Sequence, residues 1–165
     1  MKKIILLFSL FGILALQSCT VQDDFSNDSD TISEVFEVQR TFNTSNNFGT
    51  IIELNPSIFN SDVVLVYRLS DVFEGQDVWK LVPESFYFEN GTLDFGYRFD
   101  FTRNDINVYM VGNNLQNVAN EFRVNQVLRI VIIPGSFSGT VDTSNYNEVI
   151  SALKVQDKDI QKLEL

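Results

Sequence analysis

The run Glu89–Asp105, ENGTLDFGYRFDFTRND, alternates aromatic residues with Asp and Arg. Two structures produce such a pattern: an exposed aromatic platform for sugar rings, or one arm of a β-hairpin with its aromatics turned inward. Asn90-Gly91 is a strong hairpin signal, because a type I′ turn needs positive φ at both central positions. A two-residue turn there sets Phe88 opposite Leu93, Tyr87 opposite Asp94, Phe86 opposite Phe95 and Glu89 opposite Thr92. Strand alternation then gathers Leu93, Phe95, Tyr97, Phe99 and Phe101 on one face, and Asp94, Arg98, Asp100 and Thr102 on the other. Five large apolar groups exposed together would exceed the ~300–600 Å² of the largest patch on a typical monomer. The arm is therefore predicted to be core. Tyr87, Asp94, Arg98 and Asp100 remain as a candidate ligand face, where ion pairs from Arg98 to the acids of its own strand are the simplest expectation.

The remainder of the chain fits one β-rich domain over residues 34–165. In Val35–Phe42, Phe36, Val38 and Phe42 share a face, with Glu37, Gln39 and Thr41 on the other. Thr50–Leu54 is a short apolar run closed by Asn55-Pro56. Val63–Leu69, VVLVYRL, is nearly continuous and predicts a central strand covered on both faces. Asp77–Val82 and Gln126–Ile133 read as the same type, the latter ended by Pro134-Gly135. Seven or eight such runs predict an antiparallel β-sandwich or a barrel-like domain. One short helix is expected near the C-terminus. Asn145 with Glu148 three residues on resembles a capping box, and Tyr146, Val149, Ile150 and Leu153 form an apolar stripe suited to a sheet edge or end. Ile160–Leu165 predicts a final strand.

The N-terminus carries a different signal. Met1-Lys2-Lys3 is a short basic segment, and the almost wholly apolar Ile4–Leu16 is too short to span a bilayer, which takes ~20 residues. It suits a secretory signal peptide over residues 1–18. The segment ends in Leu16-Gln17-Ser18-Cys19, which resembles the bacterial lipobox, although Gln17 stands where a small residue is usual. Cys19 is the only cysteine, so no intramolecular disulfide forms, and lipidation gives a lone exported thiol a use. Three acyl chains would anchor the protein firmly, since even two suffice. Residues 19–33 follow as an acidic tether, TVQDDFSNDSDTIS after the cysteine, with no periodicity of helix or strand. Gln22-Asp23-Asp24 resembles the acidic sorting signal of surface-exposed Bacteroidota lipoproteins. A calcium loop at Asp28-Ser29-Asp30 would lack both the glycine turn and the distal Glu.

Charge and composition exclude several functions. The chain has 12 basic and 22 acidic residues, a formal net charge of −10. Loss of Lys2 and Lys3 with the signal peptide leaves ten basic against 22 acidic residues, a net −12. Such a surface repels nucleic-acid phosphates, so no nucleic-acid partner is expected. It also stands off anionic headgroups, leaving the lipid anchor as the membrane contact. There is no histidine, which removes the commonest general base and metal ligand. No cofactor, metal set or catalytic motif is predicted.

Gly75–Pro83 (GQDVWKLVP), Phe88–Leu93 (FENGTL), Phe99–Thr102 (FDFT) and Asn125–Gly135 (NQVLRIVIIPG) together resemble a group of small Bacteroidota lipoproteins. The likeness covers roughly residues 34–165. Many members of that group carry a collagen-like Gly-X-Y segment after the lipidated cysteine; here the acidic tether replaces it. The resemblance implies no particular activity. Three functions follow for testing. The first is a non-enzymatic binding or accessory module anchored in the outer membrane and facing outward, with a protein or glycan partner. The second is a glycan-binding module using Trp79, Tyr87, Tyr97 or Tyr109. In DVWKLV, Trp79 shares a face with Asp77 and Leu81, so it is either core or ligand surface. The third is a carboxylate hydrolase, with Glu89 or Asp94 as its acid; it needs a carboxyl kept protonated by an apolar pocket.

Overall fold

Strands β3 (Asp62–Phe73) and β8 (Gln126–Pro134) contain VVLVY and IVII, apolar at successive positions, so a layer must cover each face. A computed structural model describes residues 34–163. The predicted signal peptide, Cys19, Gln22, Asp23, Asp24 and the predicted tether lie outside these residues. The other elements are β1 (Glu34–Arg40), β2 (Gly49–Glu53), β4 (Gln76–Leu81), β5 (Glu84–Tyr87), β6 (Leu93–Phe101), β7 (Asp105–Gly112), β9 (Gln161–Leu163), the single-turn α1 (Gly135–Ser138) and α2 (Tyr146–Leu153). The strands form two sheets, ordered β4-β3-β8-β1-β9 and β2-β7-β6-β5. All pairings are antiparallel except β1 with β9.

The inner face of the first sheet presents Phe36, Val38, Val64, Val66, Leu128, Ile130 and Ile132. These meet Ile52, Phe95, Tyr97, Ile106, Val108 and Met110 of the second sheet. The architecture is thus a sandwich rather than a barrel. Each fully buried side chain of this size contributes about 1.5–3 kcal/mol. Opposite them, Leu65, Tyr67, Val131 and Ile133 point outward and pack against Tyr146 and Val149 of α2.

Helix α2 starts where the sequence predicts. Asn145 Oδ1 accepts from the Glu148 N–H at 3.3 Å, a cap contributing about 1 kcal/mol. The capping box stays half formed, because Glu148 Oε1 accepts instead from the Asp142 N–H at 3.0 Å. The helix lies on the face of the first sheet, not on its edge or end, because the outward apolar row of β3 and β8 is the surface that must be covered. An eight-residue helix is unstable alone, so this packing holds it.

Two other expectations change. Strand β4 is not covered on both faces but forms a sheet edge, with Asp77 and Lys80 exposed. The β5–β6 hairpin does not use a two-residue turn. Phe88 donates its N–H to Thr92 O at 2.9 Å, the Gly91 N–H bonds Phe88 O at 2.9 Å, and only Gly91 of the loop has positive φ. This is a three-residue loop of type I geometry closed by a left-handed glycine. Tyr87 therefore faces Leu93, and a bulge at Asp94 restores the register, so Phe86 meets Phe95 as predicted. Phe95 and Tyr97 are core and Phe99 is half-buried, but Phe88 and Phe101 reach past the sandwich and are exposed.

The type I′ geometry occurs elsewhere, at Glu74-Gly75 between β3 and β4, with φ of 51° and 79°. Glu is poorly suited to a left-handed φ, whereas Asn tolerates it. Glu74→Asn is expected to raise stability by about 0.5–1 kcal/mol, seen as a higher denaturant midpoint with an unchanged slope.

Candidate functional site

The register of the first sheet lines up one row of side chains on its outer face: Leu81, Tyr67, Arg129, Glu37 and Lys162, each paired with the next across adjacent strands. Charges alternate along the last three. Arg129 Nη2 donates to Glu37 Oε2 at 2.8 Å, and Lys162 Nζ lies 3.4 Å from Glu37 Oε1. Arg129 Nη1 also donates to the Tyr146 hydroxyl and to Asp157 Oδ1, the latter at 3.2 Å. The guanidinium sits 4.0 Å above the Trp79 ring centre and 5.3 Å from that of Tyr146, a desolvated cation–π contact of about 2 kcal/mol. Burial works to lower the Arg129 pKa, but its bonds to Glu37 and Tyr146 more than offset this and hold it above the usual value. Among the described residues, Arg129 Nε is the one buried side-chain polar atom without a partner.

Beside this arginine the surface is concave. Beyond the Arg68–Leu128 pair, β3 leaves β8 and continues with β4 alone as a two-stranded ribbon. The ribbon and the start of α2 enclose a hollow of about 400 Å³, lined by Phe73, Gln76, Asp77, Trp79, Tyr146 and Asn147, with Val78, Ser144 and Asn145 completing its wall. An adjoining hollow of about 370 Å³ shares Gln76, Asp77, Trp79, Tyr146 and Asn147 and adds Gly75, Arg129 and Asp157. Trp79 is half-buried and Tyr146 is buried, their rings 5.4 Å apart. Trp79 is thus both a packing residue and a wall of the cleft.

The five residues of the predicted ligand face do not come together. Trp79 is on the outer side of the first sheet, whereas Tyr87, Asp94, Arg98 and Asp100 belong to the second. Tyr87 and Asp100 are exposed. Asp94, re-aimed by its bulge, lines a separate hollow of about 410 Å³ with Phe88, Phe95, Asn114, Asn117 and Phe122. Arg98 pairs with neither acid. Its Nη1 donates to Glu84 O at 2.9 Å and Tyr97 O at 2.7 Å, and Nη2 to Ser85 Oγ at 2.9 Å. Gly96 makes this possible: a Cβ there would stand 2.6 Å from Glu84 O and 2.8 Å from Arg98 Nη1. Glu89 is exposed at the hairpin tip, and Tyr97 is fully buried. Tyr109 is half-buried on the outer side of the second sheet.

Sequence periodicity missed Arg129, Tyr146, Gln76, Asn147 and Asp157 as neighbours of Trp79. One signal was present: a charge inside VLRIVII, where an apolar strand must bury it. Among the described residues, no three His, Cys, Asp or Glu side chains gather to hold a metal ion.

A second buried arginine crosses the sandwich. Arg68 Nε donates to Glu84 Oε2 at 2.8 Å, joining the two sheets, and Nη1 donates to Gln126 Oε1 at 3.2 Å. Its guanidinium lies 4.8 Å from the Tyr97 ring. Burial, opposed by Arg68 and assisted by Glu84, pushes the Tyr97 hydroxyl up to about 12. Burial also raises Tyr67, which donates to Thr143 O at 2.6 Å.

Arg129→Leu strands Glu37 with only an exposed lysine and is expected to cost about 3 kcal/mol, whereas Arg129→Leu/Glu37→Leu recovers most of it. Paired denaturation curves check both. A tyrosine held neutral by the fold stabilises it fully below its unfolded pKa of about 10 and ceases to do so as pH passes the folded value. Stability is therefore expected to fall as pH rises above about 10, read as a denaturant midpoint that drops steadily while the Tyr67 and Tyr97 phenolate absorbance appears only with unfolding. The chain matches no known family, and no curated protein or solved structure shows detectable similarity to it.

Proposed function

We propose that this protein is a lipid-anchored protein of the outer membrane, facing the cell exterior, that acts by binding rather than by catalysis. The observation that carries the proposal is the position of the chain's sole cysteine: Cys19 directly follows Leu16-Gln17-Ser18 and an apolar h-region. Geometry adds a further argument. Glu34 pairs with Ile132 at one end of the first sheet, while the ribbon and its cleft project from the other. A tether of 14 residues, Thr20–Ser33, reaches at most ~50 Å. Such a tether, joined at Glu34, would let the domain stand clear of the membrane surface. The acidic surface would keep the domain off anionic headgroups.

Labelling of expressing cells with radioactive palmitate is expected to mark the wild type and to leave Cys19→Ser unlabelled and released from membranes. Protease added to intact cells is expected to digest the tagged wild type and to spare Asp23→Ala/Asp24→Ala. Protection of both would place the domain in the periplasm. Digestion of both would keep it at the surface and remove Asp23 and Asp24 from sorting.

A further inference from the structure

The cleft between the β3–β4 ribbon and the start of α2 has a lining that discriminates among ligand classes. Its aromatic elements are Phe73, Trp79 and Tyr146, and its polar groups include Gln76, Asp77 and Asn147, with Arg129 lining the second hollow. The two hollows, about 400 and 370 Å³, are within the roughly 300–1,000 Å³ of small-molecule sites.

An anionic ligand meets Asp77 and Asp157 on a chain of net charge −10, and the nearest cation, Arg129, already serves Glu37 and Asp157. A cationic ligand has carboxylates available, but at Trp79 it would bring a second positive charge beside the Arg129 guanidinium, which lies 4.0 Å from the ring centre and is already paired with Glu37 and Asp157. A wholly apolar ligand would desolvate the amides of Gln76 and Asn147 without replacing their hydrogen bonds, at about 1–3 kcal/mol for each group. A neutral polyhydroxylated ligand avoids all three penalties. Hydroxyls both donate and accept, as do the Gln76 and Asn147 amides, while Asp77 accepts. The C–H faces of such a ligand pack against Trp79 and Tyr146. Gln76 and Asn147 are exposed and outside both hydrophobic clusters, so the fold does not need them for packing.

We infer that this cleft is the protein's binding site and that its ligand is a neutral saccharide, held between the ribbon and α2 by Gln76, Asp77 and Asn147 against Trp79. The inference rests on the binding role proposed above and supplies its ligand class.

Trp79 is the only tryptophan, so intrinsic fluorescence reports on this site without a label. The full chain in nonionic detergent is titrated with maltohexaose, cellohexaose and hexa-N-acetylchitohexaose, and in parallel with tetralysine and tetragalacturonate, each up to about 10 mM, which captures millimolar affinities. The expected result is a saturable change in Trp79 emission with at least one neutral oligosaccharide, unaltered between low and high salt. Gln76→Ala/Asn147→Ala is expected to weaken it at least tenfold without moving the melting temperature. No response to any neutral oligosaccharide overturns the inference, as does a response confined to tetralysine or tetragalacturonate. A saccharide response undiminished in the double variant also overturns it. The titration does not depend on lipidation or display, so its failure leaves the anchored state standing, and unlabelled wild type in the palmitate experiment would leave the ligand class standing.

Discussion

Strand β8 is apolar on both faces over most of its length, and so is β3 beside it. A strand of that kind cannot face water on either side, so the chain must supply two covers. The second sheet supplies one, through Phe95, Tyr97, Ile106, Val108 and Met110. The other comes from the C-terminal segment, through Tyr146 and Val149. The position of α2 follows from this requirement, as does the approach of Tyr146 to Trp79 that forms one wall of the cleft.

The two charges inserted into these strands divide the labour. Arg68 points inward and reaches Glu84 on the opposing sheet, fixing one end of the sandwich with a buried ion pair and the Gln126 amide. Arg129 points outward and ties β1, β8 and the turn at Asp157 beneath α2. A buried ion pair contributes little net stability over apolar residues of similar shape, but it is costly to break. Specificity of register is the better account of both: a one-residue slip of β8 would carry Arg129 into the inner core and Leu128 to the outer face.

The cleft owes its existence to a mismatch in strand length. With twelve residues, β3 is longer than any of its neighbours and its pairing with β8 ends at Arg68, so Leu69–Phe73 and the start of β4 project as a ribbon. The ribbon carries Trp79 at its base, and α2 brings Tyr146 and Asn147 against it. Core packing and the cleft therefore share residues, since Trp79 packs against the outer cluster while lining the cleft. Gln76 and Asn147 are free of that double duty.

Alternation, turn chemistry and the Asn145 cap are local properties, and by themselves they determined the β class, most strands, the inward aromatics of β6 and the start of α2. The proposed export and lipidation signals are likewise local, being a charge, an apolar run and a cysteine in sequence. Pairing is not local. Whether β4 is an edge, whether the hairpin closes with two or three residues, and which sheet face receives α2 depend on surfaces contributed by segments distant in the chain. Arg98 shows the difference on a small scale: its strand neighbours suggested ion pairs with Asp94 and Asp100, but Gly96 opens a path to the Glu84 carbonyl on another strand, and the guanidinium takes it. The cleft shows it on a larger one. Trp79, Arg129, Tyr146 and Asp157 lie far apart in sequence and converge only because β4, β8, α2 and the following turn pack on one face of one sheet.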